Sequence, residues 1–215
     1  GDILEPHLAL VIEIEQPLAA AAALPMQAAS AATEGKDYRL VNPPQRTEVD
    51  AGKIEVIEFF WYGCPHCYSL EPIINDWVAK LPDDVQFRRV HVKFRTPSHQ
   101  RIFYTLLAMG EADKLGLKVF EAIHKDRKRM TGETEIKAWA VANGLDEAKF
   151  MSTFNSFGVG TQMSRGERAT EVYGVDGVPM MAVNGKYLTS PSMVGTNEGA
   201  LRVLDELIEK ERKGG

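Results

Sequence analysis

An α/β fold interrupted by a block of helices is what this sequence predicts, and three observations predict it. A strand-like apolar run, Ile54-Glu55-Val56-Ile57-Glu58-Phe59-Phe60, precedes a helix-like stretch and a second alternating run. From about residue 98 to residue 170 the apolar spacing turns helical. The chain then returns to short apolar runs joined by Asn184-Gly185, the strongest short hairpin signal. The only two cysteines, Cys64 and Cys67, stand at the first strand-to-helix junction.

Residues 1–35 differ from the rest. Neither Lys nor Arg occurs before Lys36. Pro17 to Ala32 resembles the apolar core and cleavage region of a secretory leader, with Ala29-Ser30-Ala31 fitting the A-x-A pattern. The usual basic n-region is missing. Gly1 to Gln16 stands there instead, with Asp2, Glu5, Glu13 and Glu15. Residues 1–35 are therefore read as leader-derived sequence behind an unrelated segment, and set aside from the fold. The alternative is a genuine extension, with Leu8 to Ile14 as a strand.

The elements follow in order. Asp37 to Val41 reads as a short strand, broken by Asn42-Pro43-Pro44. Lys53 to Phe60 is apolar enough for a central strand covered on both faces. Tyr68 to Leu81 is helical, with Leu70, Ile73, Ile74, Trp77 and Val78 on one face and a kink expected at Pro72. Val85 to Phe94 alternates, so the pair of strands should be parallel. Helices are expected over Gln100–Met109, Lys114–Lys128, Glu133–Asn143, Glu147–Asn155 and Val159–Tyr173. Met180 to Val183 and Lys186 to Leu188 form the hairpin, and Thr196 to Arg212 closes as an amphipathic helix. Without the helical block this is a thioredoxin fold. The boundaries expected are 36–97 and 159–215 for the thioredoxin part, and 98–158 for the inserted helical domain.

Composition narrows the function. A net charge of −5 argues against nucleic acid as a general partner. The basic run Lys125 to Arg129 reads as a solvated helix face. No apolar stretch reaches transmembrane length. As a structural staple, the Cys64–Cys67 bridge would close a very short loop, worth roughly 2 kcal/mol before strain. A chain of 215 residues, 44% of them hydrophobic, buries a core without it. A zinc site would need two more ligands, and none of His7, His66, His91, His99 and His124 pairs at H-x₃₋₅-H spacing. Neither a metal nor a cofactor is expected. C-x-x-C after a strand and before a helix reads as a redox site.

The residues also carry a resemblance. Glu58 to Tyr68, with Cys64-Pro65-His66-Cys67 inside it, resembles the active-site segment of the DsbA family of dithiol oxidases. So do His91-Val92-Lys93-Phe94, Phe154-Asn155-Ser156-Phe157, and Gly177-Val178-Pro179 ahead of Val183 to Tyr187. The similarity runs in order from about Lys36 to Arg212, and departs at Arg95-Thr96-Pro97. It implies a thioredoxin domain with a helical insertion and a cis bond before Pro179. It also implies periplasmic residence, reduced unfolded exported proteins as substrates, and reoxidation by a DsbB-type quinone-linked membrane protein. A monomer is expected.

Roles for the site follow from thiol chemistry. In an oxidase a substrate thiolate attacks Cys64 and Cys67 leaves. A stabilised Cys64 thiolate drives the exchange, and a helix N-terminus there favours the anion by about 0.3–2 kcal/mol. His66, between the cysteines, is expected to supply the rest by hydrogen bond or charge. Pro65 suits the first helical position and withholds an N–H. Glu58 either sits buried with a raised pKa and relays a proton to Cys67, or faces solvent at a sheet edge. Glu71 and Arg89 are its charge partners by resemblance. Val178 and Pro179 would pair with an extended substrate. Trp61, Tyr62, Met180 and Leu188 are candidates for an apolar rim, although each reads individually as packing more readily than as contact. Two other readings stay open: a reductase or isomerase using the same motif, and a peptide-binding chaperone with a non-catalytic one.

Overall fold

The structure is a computed structural model and describes residues 31–214. The possible strand at Leu8 to Ile14 and the apolar leader core lie outside the described residues.

Strand β1 is Arg39–Leu40 and β2 is Ile54–Phe60. Helix α1, Pro65–Val78, leads to β3, Val85–His91. Five helices follow: α2 Pro97–Ala108, α3 Ala112–His124, α4 Glu133–Ala142, α5 Glu147–Phe154 and α6 Phe157–Val172. Then come β4 Met180–Val183, β5 Tyr187–Thr189, α7 Pro191–Val194 and α8 Asn197–Arg212.

The sheet runs β1-β5-β4-β2-β3. β2 pairs parallel with β3 in the register Glu58↔Arg89, and antiparallel with β4 in the register Glu58↔Met181. All seven β2 residues are buried, as an apolar central strand requires. The pleat sends alternate β2 side chains to opposite faces. Val56 joins the cluster built from α1 and α8, with Leu70, Ile74 and Leu204. Ile57 and Phe59 join the other face, with Tyr173 and Leu188. Phe60 belongs to a third cluster, with Phe103, Leu106, Phe120 and both cysteines. The helical block therefore packs onto the end of β2 that carries the redox motif.

Local chemistry explains the boundaries. Cys64 is the N-cap of α1 and Pro65 its first residue, so the helix starts three positions before the expected Tyr68. It runs through Pro72 and ends at Val78. β3 stops at His91, although the Val92 N–H still bonds Phe60 O at 2.9 Å. Side-chain caps from Asp146, Ser156 and Thr196 start α5, α6 and α8. The short α7, capped by Ser190, was not legible as a separate element. In the hairpin Asn184 and Gly185 have φ of 50° and 70°, as the tight turn demands. A Cβ on Gly185 would lie 2.0 Å from Gln45 O, so only glycine fits. The run Lys125 to Arg129 is exposed as expected, but it is not a helix face. α3 ends at His124, and Arg127 and Met130 take left-handed backbone, which ends helical propagation.

Candidate functional site

The site is assembled from the end of β2, the start of α1, and the loop before β4. The turn after β2 is tightly held. Cys64 N–H bonds Trp61 O at 2.9 Å. The Tyr62 N–H donates to His91 Nε2 at 3.1 Å, and Tyr62 O contacts His124 Nε2 at 2.7 Å. Both backbone groups of one residue are thus gripped by imidazoles, one from β3 and one from α3. Burial holds His91 near pKa 3, hence neutral and able to accept. Gly63 lets the Trp61 ring lie on the backbone, since a Cβ there would sit 2.1 Å from that ring.

Cys64 and Cys67 differ sharply. The Cys67 N–H points at Cys64 Sγ at 3.4 Å. The Cys64 thiol is lowered to about 6, first by the hydrogen bond from the Cys67 thiol. Burial opposes this, and the Cys67 and His66 backbone N–H groups add to it. The His66 ring charge contributes least among these causes. His66 acts in the expected direction, through its backbone N–H and its ring charge, while the neighbouring sulfur leads. Cys67 is fully buried and its pKa is raised, by burial first and then by its hydrogen bond to Cys64. Pro65 and His66 are exposed.

Val178 and Pro179 arrive from far along the chain. Cys64 Sγ lies 3.5 Å from Val178 O, and the Val178–Pro179 bond is cis. A groove of about 780 Å³ opens beside them, lined by His66, Ser69, Pro191, Ser192, Met193 and Asn197 among others. Of the expected rim, Met180 lines this groove although little of it is exposed. Leu188 is buried within the sheet's own core, and Tyr62, in the turn after β2, packs among Phe60, Phe103 and Phe120. Trp61 is half-buried, with its ring 4.5 Å from the exposed Phe94.

Glu58 is fully buried, so it does not face solvent at a sheet edge. Its Oε2 accepts from Arg89 Nε at 2.7 Å. Arg89 also reaches Asn75 Oδ1 at 2.7 Å and Glu71 Oε2 at 3.6 Å. One guanidinium therefore serves two buried carboxylates. Burial lifts Glu58 to about 7 despite Arg89, and Glu71 adds to the rise. Glu58 Oε1 has no hydrogen-bond partner among the described residues. The charge of Glu58 contributes to the raised Cys67 pKa. His91, His124 and Asn75 were not recognised as site residues from the sequence. Each acts through a contact with a distant residue, which periodicity does not reveal.

A C-x-x-C pair with one acidic and one basic thiol, capped by a helix and facing a cis-proline, is a dithiol–disulfide exchange centre. The comparisons agree. Residues 55–199 match the DSBA-like thioredoxin domain family. The thiol:disulfide interchange protein DsbA of Burkholderia cepacia is 38% identical over 195 residues, covering 90% of this chain and 92% of that one. Its counterpart in Bordetella parapertussis is 43% identical, covering 86% and 89%. The crystal structure of Pseudomonas aeruginosa DsbA superposes with a TM-score of 0.82 at 43% identity, covering 85% of this chain and 96% of that one. The chain belongs to the DsbA-like family of thioredoxin-fold thiol:disulfide interchange proteins.

Proposed function

We propose that this protein is a periplasmic dithiol oxidase that works through a mixed disulfide at Cys64. A thiolate of a reduced exported protein attacks Cys64 Sγ, and the Cys64–Cys67 bond breaks. Cys67 leaves and takes a proton, because its buried sulfur disfavours the anion. Glu58, whose pKa burial raises to about 7, relays that proton through water. The substrate's second thiol then attacks its own sulfur in the mixed disulfide, and Cys64 departs as the thiolate. Two electrons pass from substrate to enzyme. A DsbB-type quinone-linked membrane protein returns the enzyme to the disulfide. Val178 offers backbone to an extended substrate beside the sulfur, and Pro179 holds that loop. Pro65 starts α1 without adding a donor, and His66 edges the groove. The enzyme acts as a monomer, with residues 36–97 and 159–215 as the thioredoxin part and 98–158 as the helical insertion.

The observation that carries this reading is the unlike placing of the two sulfurs: Cys64 Sγ caps α1 and takes the Cys67 N–H at 3.4 Å, while Cys67 is sealed in the core. A thiolate stabilised at Cys64 favours the reduced enzyme, so the disulfide is readily given away. The leader-like A-x-A segment supports export, and no helix among the described residues is long and apolar enough to cross a membrane. Equilibration with glutathione buffers tests the direction. A potential far above the roughly −270 mV of a reducing thioredoxin is expected, and a value near it makes the protein a reductase. Cys67→Ser should accumulate substrate disulfides through Cys64. If Cys64→Ser leaves oxidative refolding of a reduced substrate unchanged, the protein is a chaperone instead.

A further inference from the structure

We propose that Glu206 on α8 is the receptor for a processed N-terminus: cleavage of the Ala31–Ala32 bond leaves an α-ammonium at Ala32 that pairs with the Glu206 carboxylate. Two observations from separate parts of the chain meet at this bond. Ala29-Ser30-Ala31 places small residues at the positions a leader peptidase reads. The Ala32 nitrogen already donates to Glu206 Oε2 at 2.5 Å, across 174 positions of sequence.

The packing separates the two sides of the bond. Ala31 is exposed, whereas Ala32 is half-buried against the cluster that holds Leu204 and Leu207. Cutting after Ala32 would discard that packing and place the new charge at Thr33, whose nitrogen bonds Asp37 Oδ2 at 2.9 Å. Cutting after Ala31 keeps the packing. Hydrolysis adds water across the amide. The hydroxyl goes to the Ala31 carbonyl carbon, and Ala32 leaves as an amine that takes up a proton. A single amide N–H is thereby replaced by a charged group with three donors, so its hydrogen bond to the carboxylate becomes charge-assisted at both ends.

The charged groups around Glu206 are largely engaged elsewhere. On α8, Asp205 accepts from Trp77 Nε1 at 2.8 Å and Glu209 is paired with Arg212, with Lys210 and Lys213 as the nearby bases. Lys210 is engaged by the Tyr38 hydroxyl at 3.3 Å, with Glu34 also acting on it. Asp37 is the remaining carboxylate on the N-terminal side. Processing would therefore tighten the hold of α8 on the segment ahead of β1.

Two measurements test this. The full chain is digested with a bacterial signal peptidase in detergent micelles, and the product's intact mass is read. A terminus at Ala32 is expected; no cleavage, or a terminus at Thr33 or elsewhere, overturns the processing step. Separately, a full chain with an enterokinase-type site inserted directly before Ala32 generates that terminus without the peptidase. Acylation of its α-amine at pH 7 is compared with that of the same protein carrying Glu206→Gln. Glu206 is exposed, so this variant folds. Acylation is expected to be about threefold slower with Glu206 present, equivalent to a rise of about half a pKa unit. Equal rates overturn the pairing.

Discussion

Cys64 and Cys67 are chemically unlike although only three positions apart. The first caps α1 and collects hydrogen bonds, while the second is sealed in the core. The linkage sign follows from the depressed Cys64 pKa. Reduced protein gains stability that is fully present above the unfolded thiol pKa, near 8.5, and lost as pH falls through about 6. Unfolding of reduced and oxidised protein by denaturant, measured from pH 5 to 9, should show the reduced form gaining on the oxidised form between those limits. A flat difference contradicts the thiolate. Glu58 carries a second expectation. Its folded pKa is raised to about 7, so the ionised form is the costly one. Glu58→Gln should remove an inflection near pH 7 from single-turnover oxidation of a small dithiol, leaving a profile governed by the thiols. The motif and the glutamate were both readable in the sequence, because a strand with one carboxylate and a C-x-x-C behind it is a local pattern. The leading role of the Cys67 thiol was not, since it depends on where two sulfurs point.

The elements around this pair matter through their ends. β2 stops at Phe60, and the turn that follows is fastened to β3 through His91 and to α3 through His124. The His124 ring also stacks on Tyr68 at 5.0 Å and 8°. Replacing it with Ala leaves Tyr62 O without that donor, at a cost of about 1–3 kcal/mol. His124→Ala should therefore lower the denaturation midpoint and move the Cys64 titration, followed by thiolate absorbance at 240 nm. His124→Gln, which keeps a donor, should recover part of both. Most elements were legible from apolar spacing, including the parallel β2–β3 pair and the Asn184-Gly185 hairpin. Errors gathered at the ends. α1 began early because Pro65 is a helix starter, and α3 ended early where the backbone turns left-handed.

At the scale of the whole molecule, the helical block and the redox motif share a core. Phe120 on α3 lies in the same cluster as Cys64 and Cys67, with its ring 4.9 Å from that of Tyr62. Phe120→Ala should cost about 3–5 kcal/mol. In a chain of this size that is a fall in Tm of very roughly 10 °C, which calorimetry would register, and the turn at Tyr62 should loosen with it. The sequence by itself determined where the reactive sulfurs lie, the order of strands and helices, and the insertion of a helical block into a thioredoxin fold. Each is written in local spacing, because backbone periodicity and turn chemistry act over a few residues. Only the tertiary structure decided that the Val178 carbonyl comes within 3.5 Å of Cys64 Sγ from 114 positions away, that His91 and His124 grip the backbone of Tyr62, and that Glu58 is sealed in the core rather than set at a sheet edge. Those outcomes depend on which surfaces the packed sheet and helices bring into contact, and no short segment of chain specifies that.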